Sequence, residues 1–116
     1  MASGTAGAFS QWGGGPTHAI PFADSVMHRV LAAGVAENIT VPGVAGDGPF
    51  IVLFNSDVPF FAQIGGTAAV PAADVTDGTA SEYMPVARVV APAQVISVIA
   101  PSAGFVQALF YKQRSA

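Results

Sequence analysis

The sequence predicts an all-β domain: a single β-sandwich, jelly-roll or Ig-like, with an extended N-terminal arm. Three observations predict it. Prolines recur at Pro16, Pro21, Pro42, Pro49, Pro59, Pro71, Pro85, Pro92 and Pro101, and proline breaks helix interiors, so most intervals are too short for a long helix. Those intervals hold short apolar or alternating runs, about seven or eight in all, at the spacing of a sandwich or barrel. The length, 116 residues, suits one domain.

Residues 1–16, MASGTAGAFSQWGGGP, read as a glycine-rich arm, and residues 17–116 as the sandwich. Within the arm, Phe9 and Trp12 are the only large apolar anchors. They favour an arm docked on its own domain or on a neighbour, and they are its candidate partner-binding residues.

Asp24 to Ala33 is ambiguous by pattern. Val26, Met27, Val30 and Leu31 fit a helical stripe, while Met27, Arg29, Leu31, Ala33 and Val35 alternate. Strand is favoured, because Glu37 to Pro42 follows as a β-like run. Phe50 to Phe54 is a continuous apolar run suited to a strand buried on both faces, and Asn55-Ser56-Asp57 supplies turn chemistry. A strand is expected over Val58 to Ile64, then a loop over Val70 to Ser81, then a strand over Tyr83 to Val90. Gln94 to Ala100 and Phe105 to Lys112 close the chain. In the last strand Val106, Ala108 and Phe110 share one face, and Phe105, Gln107, Leu109 and Tyr111 the other. Ile51, Leu53, Ile96, Val98, Val106 and Phe110 are expected in the core.

Charge is the compositional anomaly. Only 9% of residues are charged and 52% are hydrophobic, against about 25% charged in ordinary soluble domains. A small domain normally needs charge to stay dispersed, so much of this surface is expected to be covered by protein or membrane. Val89 to Tyr111 has no charged residue and is long enough to span a bilayer. However, Pro92, Pro101 and Gly104 interrupt it, and two strands around a turn explain it better. The N-terminus lacks the charged start and apolar run of a signal peptide. The expectation is a cytoplasmically made protein covered by other protein, with no membrane partner.

The net charge is -3, and Arg29, Arg88, Lys112 and Arg114 are the only basic residues. Phosphate-backbone binding needs a clustered basic face, so no nucleic acid partner is expected. With no cysteine, disulfides and thiolate metal sites are excluded.

Asp74, Asp77 and Glu82 could offer three hard oxygens to calcium. The favoured alternative is an Asx turn at Asp77 with Gly78 in a left-handed conformation. His18 and His28 lack the spaced partners of a zinc site, and no nucleophile-elbow sequence accompanies them. No metal, no cofactor and no catalytic residue is expected. Two competing functions are a glycan-binding or host-adhesion module using Phe60, Phe61 or Tyr111 beside Asp57, Asp74 or Asp77, and a hydrolase using one of the histidines.

Phe50 to Tyr111 carries FIVLFNSDVPFFAQIGG, AAVPAADVTDGTASEYMP, a valine-rich strand, VISVIAP and GFVQALFY in order. In composition and order this stretch, about half the chain, resembles the small β-rich structural proteins of tailed-phage virions. The resemblance implies a head decoration (cement) protein or a tail-associated component, located in the virion. It further implies a dimer or trimer that binds the major capsid protein or another virion protein and has no active site.

Overall fold

In a computed structural model, which describes residues 20–44 and 46–112, the chain forms eight strands: β1 Ser25–Leu31, β2 Glu37–Thr40, β3 Phe50–Ser56, β4 Phe61–Ile64, β5 Glu82–Tyr83, β6 Ala87–Val90, β7 Val95–Ile99 and β8 Gly104–Lys112. No helix occurs among the described residues. The uncharged stretch Val89 to Tyr111 divides among β6, β7 and β8, with turns near Pro92 and Pro101.

The pairing is nested. Strand β1 pairs with β8, β2 with β7, β3 with β6 and β4 with β5, all antiparallel. The chain thus makes one long ribbon doubled back on itself. Two further pairings, β3 with β8 and β4 with β7, roll that ribbon into two sheets. The front sheet has the order β1-β8-β3-β6 and the back sheet β2-β7-β4-β5. Eight strands rolled in this way make a jelly roll, which decides between the two sandwich types.

The core lies between the sheets. Leu31, Phe50, Val52, Val90, Val106, Ala108 and Phe110 enter it from the front, and Ile39, Ala62, Ile96 and Val98 from the back. Phe50 and Phe110 meet edge to face with centroids 6.4 Å apart, a favoured aromatic geometry. Phe60 is also buried, and its ring lies 5.7 Å from that of Phe54.

Three expectations are corrected. Tyr83 to Val90 is not one strand: β5 belongs to the back sheet and β6 to the front. The break falls at Met84, which has φ +47° and precedes Pro85. There the Met84 N–H donates to the Phe60 carbonyl at 2.9 Å, and the Met84 sulfur accepts the Phe60 N–H at 3.3 Å. The strand expected over Val58 to Ile64 begins only at Phe61, because Pro59 has no N–H to give to a ladder. Finally, Ile51 and Leu53 are half-buried rather than core. Phe50 and Val52 take the inward parity of β3, so the intervening side chains must point outward.

Candidate interaction face

The outward side of the front sheet carries an unusual set of side chains. Register places Val26, Leu109, Leu53 and Ala87 in one row across all four strands. Tyr111, Ile51 and Val89 form a second row, His28, Gln107 and Asn55 a third, and Val30 with Phe105 a fourth. None of these twelve positions is Asp, Glu, Lys or Arg. Val30 is 71% exposed, Val89 67% and Val26 53%. An antiparallel sheet with one wet face normally alternates apolar inward and polar outward. This sheet is apolar inward and largely apolar outward, and exposed apolar surface of that kind marks interaction sites.

The one polar row crosses the middle of the face. Gln107 Nε2 lies 3.3 Å from His28 Nδ1, and the His28 ring stacks on Phe105 with centroids 4.8 Å apart. His28 is therefore set flat against its neighbours, an imidazole used for packing.

The back sheet is treated differently. Its outward row Asn38, Ser97 and Gln63 is polar, and the loop of residues 65–81 lies over it. Ser97 is buried, and its hydroxyl accepts the Ala68 N–H at 2.8 Å. Ser81 donates its hydroxyl to Gln63 Oε1 at 2.8 Å and accepts the Ala69 N–H at 3.1 Å. A loop of this length is held in place by hydrogen bonds to the sheet it crosses. Ala68 is itself buried, and Ile99 beneath the same side is 7% exposed.

On the front sheet, the described chain begins at the outward side. The Tyr111 hydroxyl, which is on the outward parity of β8, donates to the Pro21 carbonyl at 2.9 Å. Next to it, the Asp24 N–H donates to the Phe110 carbonyl at 3.0 Å, and Asp24 Oδ2 accepts the Lys112 N–H at 2.7 Å. Phe22 is fully exposed.

Phe9, Trp12 and His18 lie outside the described residues. Asp74 is exposed in the 65–81 loop. Asp77 Oδ1 accepts from the Thr79 hydroxyl at 2.6 Å and the Thr79 N–H at 3.2 Å, and Gly78 has φ +88°. This is Asx-turn geometry. The Thr79 side chain, then its backbone N–H, hold the Asp77 carboxyl below the usual carboxylate range. Glu82 is turned elsewhere, and Arg88 grips its Oε1 through Nε at 2.9 Å and Nη2 at 2.6 Å. Among the described residues, no group of three His, Asp or Glu is placed to hold a metal ion.

Glu82 and Arg88 also form part of the wall of a 270 Å³ cavity between the sheets, with Phe54, Ala62, Pro85 and Ile96. It lies where β5, only two residues long, leaves the sandwich edge thinly covered. Of the rings considered for sugar stacking, Phe60 and Tyr111 are buried. Phe61 is half-buried against Tyr83, with centroids 5.1 Å apart. Asp57 Oδ1 accepts the Phe105 N–H at 2.8 Å.

The outward front face was not anticipated as a site, although a signal for it exists. In both β3 and β8 the two parities are each apolar: Phe50, Val52 and Phe54 against Ile51 and Leu53, and Val106, Ala108 and Phe110 against Phe105, Leu109 and Tyr111. Neighbouring strands apolar on both parities leave apolar side chains outside any two-layer core.

Comparison with known protein families, curated proteins and solved structures finds no match to this chain.

Proposed function

We propose that this protein is a non-enzymatic structural component of a virion, decorating and stabilising a phage capsid by protein-protein packing. The observation that carries the reading is the largely apolar outward face of the front sheet, whose twelve strand positions include no charged residue. Packing of one protein on another needs area, shape fit and desolvated apolar anchors rather than reactive groups. A face of Val26, Val30, Ile51, Leu53, Leu109 and Val89 provides such anchors, and the amides of Asn55 and Gln107 in its polar row provide hydrogen bonds that carry no charge-burial cost. The charge deficit of the whole chain points the same way. The assignment to a virion, with the major capsid protein or another virion protein as partner, rests on the resemblance of Phe50 to Tyr111 to small phage structural proteins.

The test is sedimentation of the purified full chain, alone and with capsids. The expected result is a dimer or trimer that co-sediments with particles. Val30→Lys combined with Val89→Lys should leave the strand circular dichroism unchanged and abolish association, because both side chains are exposed before anything docks. A stable monomer that attaches to no particle overturns the reading.

A further inference from the structure

We propose that two copies of this chain join along the edge strand β1, antiparallel about a two-fold axis at His28, so that their front sheets become one continuous sheet. The proposal rests on the reading of the outward front face as a packing surface, and it names how copies combine to present that face.

The sheet edges are unequal. The front sheet ends in β1 and β6, and the back sheet in β2 and β5. Strands β2 and β6 have four residues each and β5 has two, and very short edge strands resist pairing with another chain. Strand β1 has seven. Among the described residues it has β8 on one side and no strand on the other. Alternate residues of such a strand turn their N–H and C=O away from the sheet, which makes a template for an added strand.

The outward rows choose the register. Antiparallel strands related by a two-fold axis place one residue opposite its own copy. With His28 on the axis all seven residues of β1 are paired, and Val26 meets the partner's Val30. The row of Val26, Leu109 and Leu53 then runs into the other copy's row of Val30 and Phe105. The row of His28, Gln107 and Asn55 runs into its own counterpart. Apolar joins apolar and polar joins polar. Centring on Met27 instead sets Val26 against the partner's His28 and breaks both rows. Centring on Arg29 sets two guanidinium groups opposite each other, and like charges directly opposite destabilise a sheet.

An inward charge on an edge strand ordinarily opposes pairing. Arg29 stands on the inward parity, beside the buried Val106. Its charge is met within its own chain, with Nη2 2.5 Å from Glu37 Oε1 on β2. The added strand brings the partner's Met27 alongside the methylene stem of Arg29, apolar against apolar, and leaves the ion pair in place.

Area gives the junction its use. Four strands at about 4.8 Å spacing and seven residues at about 3.3 Å rise give one outward face on the order of 400 Å². A stable interface buries about 800 Å² on each partner. Two faces made continuous through β1 reach that size.

The chain contains no cysteine, so single cysteines placed on β1 report its register. Full-length Val26→Cys and Val30→Cys chains are purified separately and from co-expression, then oxidised with copper phenanthroline. The co-expressed pair should give a disulfide-linked dimer at several-fold higher yield than either chain alone. Opposed residues lie within disulfide reach, whereas position 26 of the two copies is at least about 13 Å apart. His28→Cys should cross-link with itself, and Val89→Cys, on the same face but on β6, should not. The parent chain should sediment as a dimer, and each variant should keep its circular dichroism. Val26→Cys linking to itself as readily as to Val30→Cys, or Val89→Cys linking as readily as His28→Cys, overturns the proposal. A parent chain that sediments as a monomer or a trimer also overturns it. Particle attachment without these cross-links removes the β1 dimer and leaves the capsid reading standing. The cross-links without particle attachment support the dimer and remove the capsid reading.

Discussion

The Tyr111 hydroxyl, carried on the outward side of β8, holds the carbonyl of Pro21 at 2.9 Å. Together with the Asp24 bonds to Phe110 and Lys112, it ties the start of the described chain to the outward side of the front sheet. Tyr111→Phe keeps the ring and deletes the donor. The expected loss is about 1 kcal/mol in urea unfolding, the usual net worth of one such bond. Limited proteolysis should also cut faster near Phe22, which is already exposed. Unaltered cleavage there would show that Tyr111 does not position this segment.

Ser97 performs the corresponding task on the back sheet. Its buried hydroxyl accepts the Ala68 N–H, so Ser97→Ala leaves a buried donor without its acceptor. The expected cost is about 1–3 kcal/mol. Amide exchange should accelerate at Ala68 more than in the β3–β8 ladder, as measured by hydrogen–deuterium exchange.

Ala93 occupies a conformation that favours glycine. Its φ is +65°, it follows Pro92, and the Gln94 N–H returns to the Ala91 carbonyl at 3.3 Å. Proline followed by a left-handed residue is the type II turn pattern. A left-handed L-residue costs roughly 1–2 kcal/mol, and glycine gives back about 0.4–1 kcal/mol through the unfolded chain. Ala93→Gly is therefore expected to stabilise by up to about 1 kcal/mol and to raise the melting temperature. A lower melting temperature would contradict this account of the turn.

Asp77 titrates below the ordinary carboxylate range because Thr79 donates to its ionised form. A depressed folded-state value means that its contribution is fully present above the unfolded value and is lost as pH falls through the folded one. The turn should thus be indifferent to pH near neutrality and loosen only in acid. Carboxyl NMR should find a higher titration midpoint for Asp77 in Thr79→Ala than in the parent chain, since the larger cause is the Thr79 side chain.

How much of this was legible beforehand differs by feature. Proline spacing and turn chemistry identified an all-β sandwich, and Ser25–Leu31 is a strand as favoured. The parity of β8 was readable outright, with Val106, Ala108 and Phe110 inward. The interaction face was half legible. Its residues were visible as apolar, but Ile51 and Leu53 were assigned to the core when they lie outside it.

By itself the sequence determined local matters: where strands can run, which residues share a side, and how few charges any surface can carry. These follow from φ restriction at proline and the two-residue period of a strand, both properties of neighbouring residues. Only the tertiary structure decided the rest. It separated Glu82–Tyr83 from Ala87–Val90 into different sheets, nested β1 with β8, and chose which side of β3 faces inward. Each of those depends on pairings between residues far apart in the chain, such as Ile51 with Tyr111. When both parities of a strand are apolar, only its partners can say which one is buried.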